Sequence, residues 1–384
     1  MDKLLSSNLR LGIISGGQLG KMLIQEASKW DITTYVLDEV EDCPASGVAN
    51  YSFKGSRFDY ETVYNFGKQV DLLTFEIESI NTDALFQLQA EGVKIVPDPS
   101  ILKLFQNKEN QKEFYVKHNI PTSLFKSYNN KEEVLRDINQ GQLKFPFVQK
   151  LKTGGYDGRG VAVINSFNDI NLLLDGESIV EEKIEIYKEI AIIVSRNSSG
   201  EIKSYPAVDM IFDAKANLVD KLICPADISV EHEQFASKIS HTIIEKLDMC
   251  GLLAIEFFID KKGELFVNEA APRTHNSGHH TIESVLTSQF EQHLRAILDL
   301  PLGSTNIKMP AVMINLLGEP GFEGKVKYQG LSECLSIEGV KIHLYGKKIT
   351  KPYRKMGHIT VLDKDVNNAL KKADLVKNTL KVIV

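Results

Sequence analysis

Four glycines occur in the eight-residue segment TGGYDGRG, Thr153–Gly160, and the composition of both flanks is typical of β-strands. FPFVQKL precedes the segment at residues 145–151, and VAVI follows it at residues 161–164. Both runs are short, apolar and rich in β-branched or aromatic residues. A glycine-rich phosphate loop of the P-loop or dinucleotide type opens a helix, because the helix N-terminus supplies the anion site. This segment returns into a strand instead, so the pattern predicts the tip of a β-hairpin.

Two cations accompany the predicted hairpin. Arg159 lies within the glycine segment, and Lys150 lies in the apolar strand just before it. A buried, unpaired ammonium group is costly, and glycines leave backbone N–H groups open to an anion. We therefore predict that a polyphosphate is held between Lys150 and a glycine tip that closes over it. An ordinary long hairpin turn is the alternative interpretation.

Length and charge bound the class of protein. A chain of 384 residues predicts two or three domains. The net charge of −6 gives no general attraction to nucleic acid or to an anionic membrane. The cysteines are scattered without paired spacing, as reduced thiols of the cytosol are. With no apolar run of membrane-spanning length and no signal peptide, we expect a soluble, cytoplasmic protein.

The order of predicted elements indicates the architecture. Strands and helices alternate over the first hundred residues, which predicts a small doubly wound parallel sheet ending near Pro97–Pro99. Strands predominate from Phe145 to about Arg196, and further on a single long helix is predicted over Ile282–Asp299. The fold class expected from this order is a combination of α/β and α+β.

A second glycine motif, SGGQLG, stands between the first predicted strand and the first predicted helix. Glycines at this place set the helix N-terminus against an anion. The motif matches the dinucleotide fingerprint only in part, although Asp38 ends the next strand about 20 residues on, as in a nicotinamide-binding fold. Gln18 intrudes where a pyrophosphate requires a minimal side chain. A single phosphate therefore fits as well as a dinucleotide, and a Rossmann oxidoreductase is the rival hypothesis.

Two glutamates belong to a predicted hairpin, Glu256 in AIEFFID and Glu269 in LFVNEAAP. If Asp260 pairs with Gly263, Glu256 faces Val267, and Glu269 lies one diagonal away on the same face. With Asn268, the two carboxylates would form an oxygen site suited to Mg²⁺ that bridges ATP phosphates. An edge hairpin with solvated glutamates is the alternative.

The segment PRTHNSGHH, residues 272–280, crowds cationic and polar side chains into one turn. We interpret it as a polar loop that handles an oxyanion substrate. The spacing of its three histidines also allows a transition-metal site, although no accompanying Cys or Asp pattern supports one. Near the other end, KKITKPYRKMGH brings Lys347, Lys351, Arg354 and Lys355 together. It is either a phosphate clamp or a solvated basic turn.

These motifs together resemble the ATP-grasp superfamily and, within it, the family of 5-(carboxyamino)imidazole ribonucleotide synthetases of purine biosynthesis. The resemblance spans about residues 9–362. It rests on GGQLG, Lys150, TGGYDGRG, VEEKI at 180–184, Glu189, Glu256, NEAAPRTHNSGHH at 268–280 and YRKMGH. It implies a carbon–nitrogen ligase that carboxylates 5-aminoimidazole ribonucleotide with bicarbonate, giving ADP and phosphate through carboxyphosphate. ATP and Mg²⁺, or Mn²⁺ in its place, are the implied cofactors, and a homodimer is implied as well.

The resemblance also implies a domain plan. Residues 1–99 would form a Rossmann-like pre-ATP-grasp domain, and residues 306–384 a small C-terminal β-rich domain. Residues 100–305 would form the ATP-grasp domain, with a small lid at about 121–183 and a larger catalytic part at about 184–305.

For ATP, the resemblance implies phosphate contacts, an interdomain segment against adenine, and a ribose contact. The phosphates would meet Lys108, Lys150, Gly155, Tyr156, Asp157, Gly158, Arg159, Gly160 and Val161. The adenine would meet Glu181, Glu182, Lys183 and Ile184, and the ribose Glu189. Glu256 and Glu269 would bind the metal beside Asn268.

For the second substrate, the resemblance implies a ribonucleotide site and a reacting centre. The ribonucleotide would meet Gly16, Gly17, Gln18, Leu19, Lys347, Arg354 and Lys355. The reacting centre would be lined by Glu76, Tyr156, Asp157, Arg159, Arg273, His275, Asn276 and Ser277.

This chain departs from the family pattern at two positions. Ser15 stands where another glycine is expected, and Phe212 stands where the family commonly places a histidine near the adenosine. Formate-using glycinamide ribonucleotide transformylase and the biotin carboxylases share the superfamily, but GGQLG and RTHNSGHH favour the carboxylating synthetase. A non-catalytic nucleotide sensor, which would bind ATP without turnover, is an alternative of another class.

Overall fold

A computed structural model of the chain describes residues 8–155, 160–213 and 218–384. The N-terminal region folds as a five-stranded parallel sheet, which confirms the predicted doubly wound architecture. Its elements are β1 (Arg10–Ile14), α1 (Gln18–Ser28), β2 (Thr33–Asp38), β3 (Tyr51–Lys54), α2 (Tyr60–Gly67), β4 (Leu72–Phe75), α3 (Thr82–Ala90), β5 (Lys94–Ile95) and α4 (Pro99–Phe105). The strand order is β3-β2-β1-β4-β5. Edge strand β3 is largely exposed and only four residues long, and it was not predicted.

A four-stranded antiparallel sheet follows in the chain. Its strands are β6 (Phe125–Tyr128), β7 (Phe147–Leu151), β8 (Val161–Ile164) and β9 (Ser178–Glu182). Helix α5 (Lys108–Lys117) precedes the sheet in the chain, and α6 (Lys131–Asn139) lies between β6 and β7. Strands β7 and β8 pair antiparallel from Phe147↔Ile164 to Lys150↔Val161, so the predicted hairpin around the glycine segment is confirmed. The pair β6 and α6 escaped prediction because FKSY carries too few apolar residues to signal a strand.

The rest of the chain forms a nine-stranded sheet, two small two-stranded sheets and the helices that pack on them. The elements before residue 300 are β10 (Ile186–Arg196), β11 (Ile202–Ser204), β12 (Val208–Asp213), β13 (Leu218–Cys224), α7 (Val230–Lys246), β14 (Gly251–Asp260), β15 (Leu265–Ala271), α8 (Thr281–Ser284) and α9 (Gln289–Ile297). Those after it are β16 (Ala311–Leu317), β17 (Gly324–Lys325), β18 (Lys327–Gln329), α10 (Leu331–Leu335), β19 (Val340–Leu344), β20 (Ile349–Thr350), β21 (Lys355–Leu362), α11 (Val366–Thr379) and β22 (Lys381–Ile383).

This large sheet runs through the predicted boundary at residue 305. Its order is β15-β14-β10-β12-β13-β16-β21-β19, with β11 paired to β10. Strand β13 pairs with β16 from Lys221↔Ile314 to Cys224↔Ala311. The C-terminal strands therefore extend the sheet that carries Glu256 and Glu269, and the domain boundaries themselves stay a prediction.

The single helix predicted over Ile282–Asp299 is wrong. Helix α8 ends at Ser284, and Val285 forms an isolated bridge with Ile307. Ser288 then begins α9 as its N-cap, because its side chain accepts a hydrogen bond from the Glu291 backbone N–H. The bridge to Ile307 and the N-cap at Ser288 thus interrupt the helical pattern of apolar residues that predicted one helix.

Helix α9 ties the regions together. Phe290, Leu294 and Ile297 pack in one buried cluster with Leu23 of α1 and Tyr345 after β19. Helix α1, which follows the GGQLG motif, is thereby fixed against the C-terminal region. Within the described ranges, no helix is long and apolar enough to cross a membrane.

Candidate active site

A compact set of opposite charges lies where the four-stranded sheet meets edge strand β15. Lys150 on β7 is buried, with Nζ 3.0 Å from Glu181 Oε2 and 2.9 Å from Asn268 Oδ1. Lys108 at the start of α5 pairs at 2.5 Å with Glu269 Oε2. The lysine predicted to be costly when unpaired is therefore paired. The pocket at this junction is lined by Lys108, Gln111, Lys112, Lys150, Glu181, Asn268 and Glu269.

Lys112 and Gln111 line this pocket and were not predicted. Lys112 lies one helical turn after Lys108 on α5, so both point to the same side of the helix. Its Nζ is 3.2 Å from Glu181 Oε1. The sequence did carry a signal for Lys112. It lies four residues after Lys108, the lysine that the resemblance assigns to phosphate and at which the helix starts.

Glu256 and Glu269 face each other directly, which corrects the predicted register. Phe257 pairs with Val267, and the register then shifts so that Glu256 pairs with Glu269. Asn268 is the extra residue of this β-bulge, which the predicted pairing of Glu256 with Val267 did not include. The bulge converts a diagonal pair of carboxylates into an opposed pair.

The electrostatics of this pair favour a cation. Burial and the carboxylates of Glu269 and Glu189 raise the pKa of Glu256, whereas the Lys108 ammonium lowers the pKa of Glu269. A positive charge added beside two such carboxyl groups would stabilise the ionised form of both. In the described part of the chain, no cluster of three or more His, Cys, Asp or Glu side chains is placed to hold a metal. Two carboxylates still fit Mg²⁺, since that ion commonly takes its other ligands from phosphates and water.

The segment predicted to contact adenine connects the two sheets. Glu181 still belongs to the four-stranded sheet, and its buried carboxylate pairs with Lys112 and Lys150. Glu182 and Lys183 are exposed, and Lys183 Nζ donates to Asn165 Oδ1 at 2.8 Å. Ile184 is half-buried in the connection to β10. The Glu181 side chain thus points to the lysines of the pocket, where phosphates rather than adenine are predicted.

Two further predicted nucleotide contacts lie on β10 and β12. Glu189 on β10 pairs with Phe258, and burial raises the pKa of its carboxyl to about 7. Phe212 lies opposite Val219 just after a register shift in β12 and packs on the cluster around Met210. The position expected to hold a histidine therefore carries an apolar contact.

The glycine tip is only partly described. Tyr156, Asp157, Gly158 and Arg159 lie outside the described residues. Gly160 has φ 74°, a left-handed conformation that favours glycine, and its carbonyl accepts from the Leu151 backbone N–H at 2.9 Å. Leu151 and Gly160, on either side of the loop, therefore continue the hydrogen bonding between β7 and β8.

The GGQLG motif forms the N-terminus of α1, but a carboxylate of the chain itself lies there. Gly17 is the N-cap, and Glu76 accepts hydrogen bonds from the backbone N–H groups of Gly17 and Gly20. Burial raises the pKa of Glu76. The backbone N–H groups that were predicted to face an anionic ligand are thus bound by Glu76 from the end of β4, and the ligand site stays a prediction.

Asp38 is also used within the chain. Its carboxylate accepts from the Gly16 backbone N–H at 2.7 Å and from the Val40 N–H at 2.8 Å. Ser15 donates to the same carboxylate at 3.3 Å and has φ 72°. The departure from glycine at Ser15 therefore falls in a left-handed conformation, which explains why glycine is expected there. A nicotinamide ribose would have to displace these contacts, which counts against the oxidoreductase hypothesis.

Replacing Gly17 with Ala should lower the free energy of unfolding by about 1–3 kcal/mol, the cost of leaving a buried acceptor unsatisfied. A Cβ at Gly17 would overlap the Glu76 carboxylate, although the backbone conformation suits alanine. Denaturant midpoints of the variant and the wild type measure the effect. Gly47→Ala is the matched control, since a Cβ there meets nothing within 4 Å. Equal midpoints for both variants would contradict the assigned contact.

The RTHNSGHH segment divides between the site and the core. Arg273 Nε lies 2.8 Å from Glu78 Oε1, and His275 Nε2 lies 3.7 Å from Glu256 Oε1. His275 Nδ1 is 2.9 Å from Ser277 Oγ, and Asn276 starts the short turn that contains Ser277. His279 stacks on His358, and His280 Nδ1 is hydrogen-bonded to Ser284 Oγ at 2.7 Å. The first part therefore faces the carboxylates, while the last two histidines are packing residues.

The basic C-terminal segment lies beside α1. Lys21 Nζ on α1 donates to the carbonyls of Leu344 and Tyr345 at 3.0 and 3.2 Å. Lys347 Nζ donates to the Lys355 carbonyl, and the Arg354 guanidinium donates to the Ile349 carbonyl at 2.6 Å. Lys21 was missed because only tertiary packing brings it to this turn. Lys21 thus joins α1, which follows the GGQLG glycines, to the turn just before the basic segment.

Three family models match successive parts of the chain. Residues 9–106 match the ribonucleotide synthetase preATP-grasp domain, and residues 113–290 match the ATP-grasp domain. Residues 311–372 match the phosphoribosylaminoimidazole carboxylase C-terminal domain. The ATP-grasp fold predicted from the motifs is therefore confirmed.

Similar proteins carry two names. The chain is 35% identical to the N5-carboxyaminoimidazole ribonucleotide synthase of Bacillus subtilis, covering 92% of this chain and 91% of that protein. It spans 63–70% of the length of four matched proteins named phosphoribosylaminoimidazole carboxylase, and 65% of the first of them.

Solved structures agree with this similarity. The N5-carboxyaminoimidazole ribonucleotide synthetase of Thermotoga maritima superposes with a TM-score of 0.90 at 45% identity, covering 98% and 99% of the two chains. The Aspergillus clavatus enzyme, in complex with ADP and 5-aminoimidazole ribonucleotide, superposes with a TM-score of 0.88 at 33% identity over 97% and 99%. This chain therefore belongs to the N5-carboxyaminoimidazole ribonucleotide synthase family of ATP-grasp ligases.

Proposed function

We propose that this chain carboxylates 5-aminoimidazole ribonucleotide with bicarbonate at the expense of ATP, a step of purine biosynthesis. The observation that carries the proposal is the opposed pair Glu256 and Glu269 beside Lys108 and Lys150. Such an arrangement suits a triphosphate with its metal ion. The relative that holds ADP and the ribonucleotide supports the choice of substrates.

The chain's own residues would bind ATP along the junction of the two sheets. Lys108 and Lys150 would exchange their carboxylate and amide partners for phosphate oxygens, because a phosphate offers an ammonium group stronger charge-assisted bonds. Glu189 would meet the ribose, and the segment from Glu182 to Ile184 the adenine. The glycine segment at residues 153–160 would cover the phosphates.

Glu256 and Glu269 would hold Mg²⁺, with Asn268 beside them. The bound ion would neutralise charge that develops on the transferring phosphoryl group. Around it, Lys108 and Lys150 would orient the phosphates. His275, 3.7 Å from Glu256, would border the place where bicarbonate enters.

The reaction balances as two transfers. A bicarbonate oxygen attacks the γ-phosphorus of ATP, the bond to the ADP oxygen breaks, and carboxyphosphate forms. Carboxyphosphate breaks down to CO₂ and phosphate, and the exocyclic amine of the ribonucleotide captures the CO₂ with loss of a proton. Water must be excluded throughout, because carboxyphosphate hydrolyses readily.

The test is ADP release measured with ATP, bicarbonate and 5-aminoimidazole ribonucleotide, and with each one omitted. We expect one carboxylated ribonucleotide per ADP, and little ADP formation without the ribonucleotide. Turnover with formate and glycinamide ribonucleotide instead would assign the transformylase reaction. Binding of ATP without turnover in any mixture would assign a nucleotide sensor.

The closing role of the glycine segment has its own prediction. ATP with Mg²⁺ should slow hydrogen exchange at residues 153–160, because their N–H groups would bind the phosphates. Exchange measured by mass spectrometry, with adenosine as the control ligand, separates phosphate contacts from adenine contacts. Exchange that is indifferent to ATP would contradict a clamp at this segment.

A homodimer in the cytoplasm stays part of the proposal. The resemblance to the family supports it, and sedimentation of the purified protein at micromolar concentration tests the oligomeric state.

A further inference from the structure

Lys112 is a buried lysine in the candidate ATP site whose ammonium group is surrounded by partners from the chain itself. Its Nζ donates to Thr122 Oγ1 at 2.7 Å and to Ser123 Oγ at 2.8 Å, and pairs with Glu181 Oε1 at 3.2 Å. An ammonium group has three N–H donors. Its side chain is 3% exposed. Lys112 therefore lines the pocket with its ammonium group held by two hydroxyls and one carboxylate of the chain.

Glu181 is the link between Lys112 and Lys150. Its Oε1 faces Lys112, while its Oε2 lies 3.0 Å from Lys150 Nζ and accepts from Ser123 Oγ at 3.1 Å. The carboxylate is 4% exposed, and the two lysines lower its pKa against the effect of burial. One buried anion is thus shared by two buried cations.

We infer that Lys112 is a positioning residue that neutralises Glu181 so that Lys150 can leave this carboxylate for the ATP phosphates. The inference rests on the proposed function, since it requires ATP at this pocket. Lys112 itself would touch neither substrate.

The physical reason lies in the cost of an uncompensated buried charge. When Lys150 turns toward a phosphate, Glu181 keeps the ion pair with Lys112 and the hydrogen bond from Ser123, and it stays neutralised. Without Lys112, the departure of Lys150 would strand a buried carboxylate, which is strongly unfavourable. Lys150 would then stay paired with Glu181, and ATP would lose a phosphate contact.

Lys112→Met removes the charge and keeps the length of the side chain. We expect the Kd for ATP, measured by calorimetry, to rise on the order of tenfold, the size of coupling found within one ion-pair network. The Kd for adenosine should change less than about twofold, because adenosine lacks the phosphates. Lys117→Met, at an exposed lysine on the same helix, is the control and should bind ATP as the wild type does.

A double-mutant cycle with Glu181→Gln separates positioning from direct contact. In that background no carboxylate holds Lys150, so Lys112→Met should leave the Kd for ATP within about twofold. The double variant has neither the Lys112 ammonium nor the Glu181 carboxylate, so it buries no unpaired carboxylate at this position. It therefore keeps the test usable if Lys112→Met alone fails to fold. A tenfold loss in the Glu181→Gln background would overturn the inference, as would equal losses of ATP and adenosine binding. If the proposed function itself were wrong, the wild-type protein would neither bind ATP nor turn it over, which distinguishes that outcome from the results above.

Discussion

Glu269→Gln should lower kcat by roughly 100-fold or more at saturating ATP, the loss expected when a charge-stabilising group of an active site is removed. Glu269 is placed directly opposite Glu256 and pairs with Lys108. The amide keeps the size of the side chain but removes one of the two carboxylates available to Mg²⁺. It also removes the counter-charge of Lys108. Turnover measured over a range of Mg²⁺ concentrations should show a higher Mg²⁺ requirement as well as the lower kcat.

Glu264→Gln is the matched control for this experiment. Glu264 lies exposed just before β15 of the same hairpin, remote from the opposed pair. It should leave kcat and the Mg²⁺ requirement unchanged. Wild-type turnover of Glu269→Gln at saturating Mg²⁺ would remove Glu269 from the proposed metal site. Denaturation midpoints of both variants distinguish this outcome from a loss of folded protein.

Arg354→Ala should raise the KM for 5-aminoimidazole ribonucleotide roughly 10- to 150-fold, corresponding to about 1.5–3 kcal/mol for one charge-assisted contact. Arg354 lies in the basic segment that begins just after the Leu344 and Tyr345 carbonyls bound by Lys21 of α1, whereas ATP is assigned to the Lys108 and Lys150 pocket. The KM for ATP should therefore hardly change. Initial rates with each substrate varied separately measure both constants.

Lys364→Ala tests whether general positive charge explains such a result. Lys364 is exposed in the same C-terminal region, after β21, and is not part of the basic segment. Its removal should leave both KM values as in the wild type. If Arg354→Ala raised the KM for ATP and spared the ribonucleotide, the two ligands would be assigned to the wrong ends of the molecule.

The phosphate end of the candidate site was predictable because its signals are local. A glycine segment between two strand patterns predicted the β7–β8 hairpin. The apolar context of Lys150 predicted a polyphosphate partner, which stays a prediction, and the structure pairs this lysine with Glu181. Lys112 could have been added from its spacing to Lys108 on a predicted helix. The roles of these residues in binding and catalysis stay predictions.

The ribonucleotide end was less predictable because its contacts join distant parts of the chain. Glu76 was expected at the reacting centre, yet it caps α1 through Gly17 and Gly20, more than fifty residues earlier. Lys21 meets the Tyr345 carbonyl across 324 positions. No local pattern encodes such a meeting, since it follows from the packing of α1 against α9 and the C-terminal region.

The sequence by itself determined the N-terminal parallel sheet, the β7–β8 hairpin, the ATP-grasp family and the residue types of the candidate site, because periodicity and motifs are properties of neighbouring residues. Only the tertiary structure decided which of those residues meet. The bulge at Asn268 placed Glu256 opposite Glu269, although simple strand pairing predicted Val267. The break after Ser284 arose because Val285 found a partner in Ile307, which a local helical period cannot anticipate. Register and long-range partners depend on the free energy of the whole packed fold, and a local pattern leaves several of them nearly equivalent.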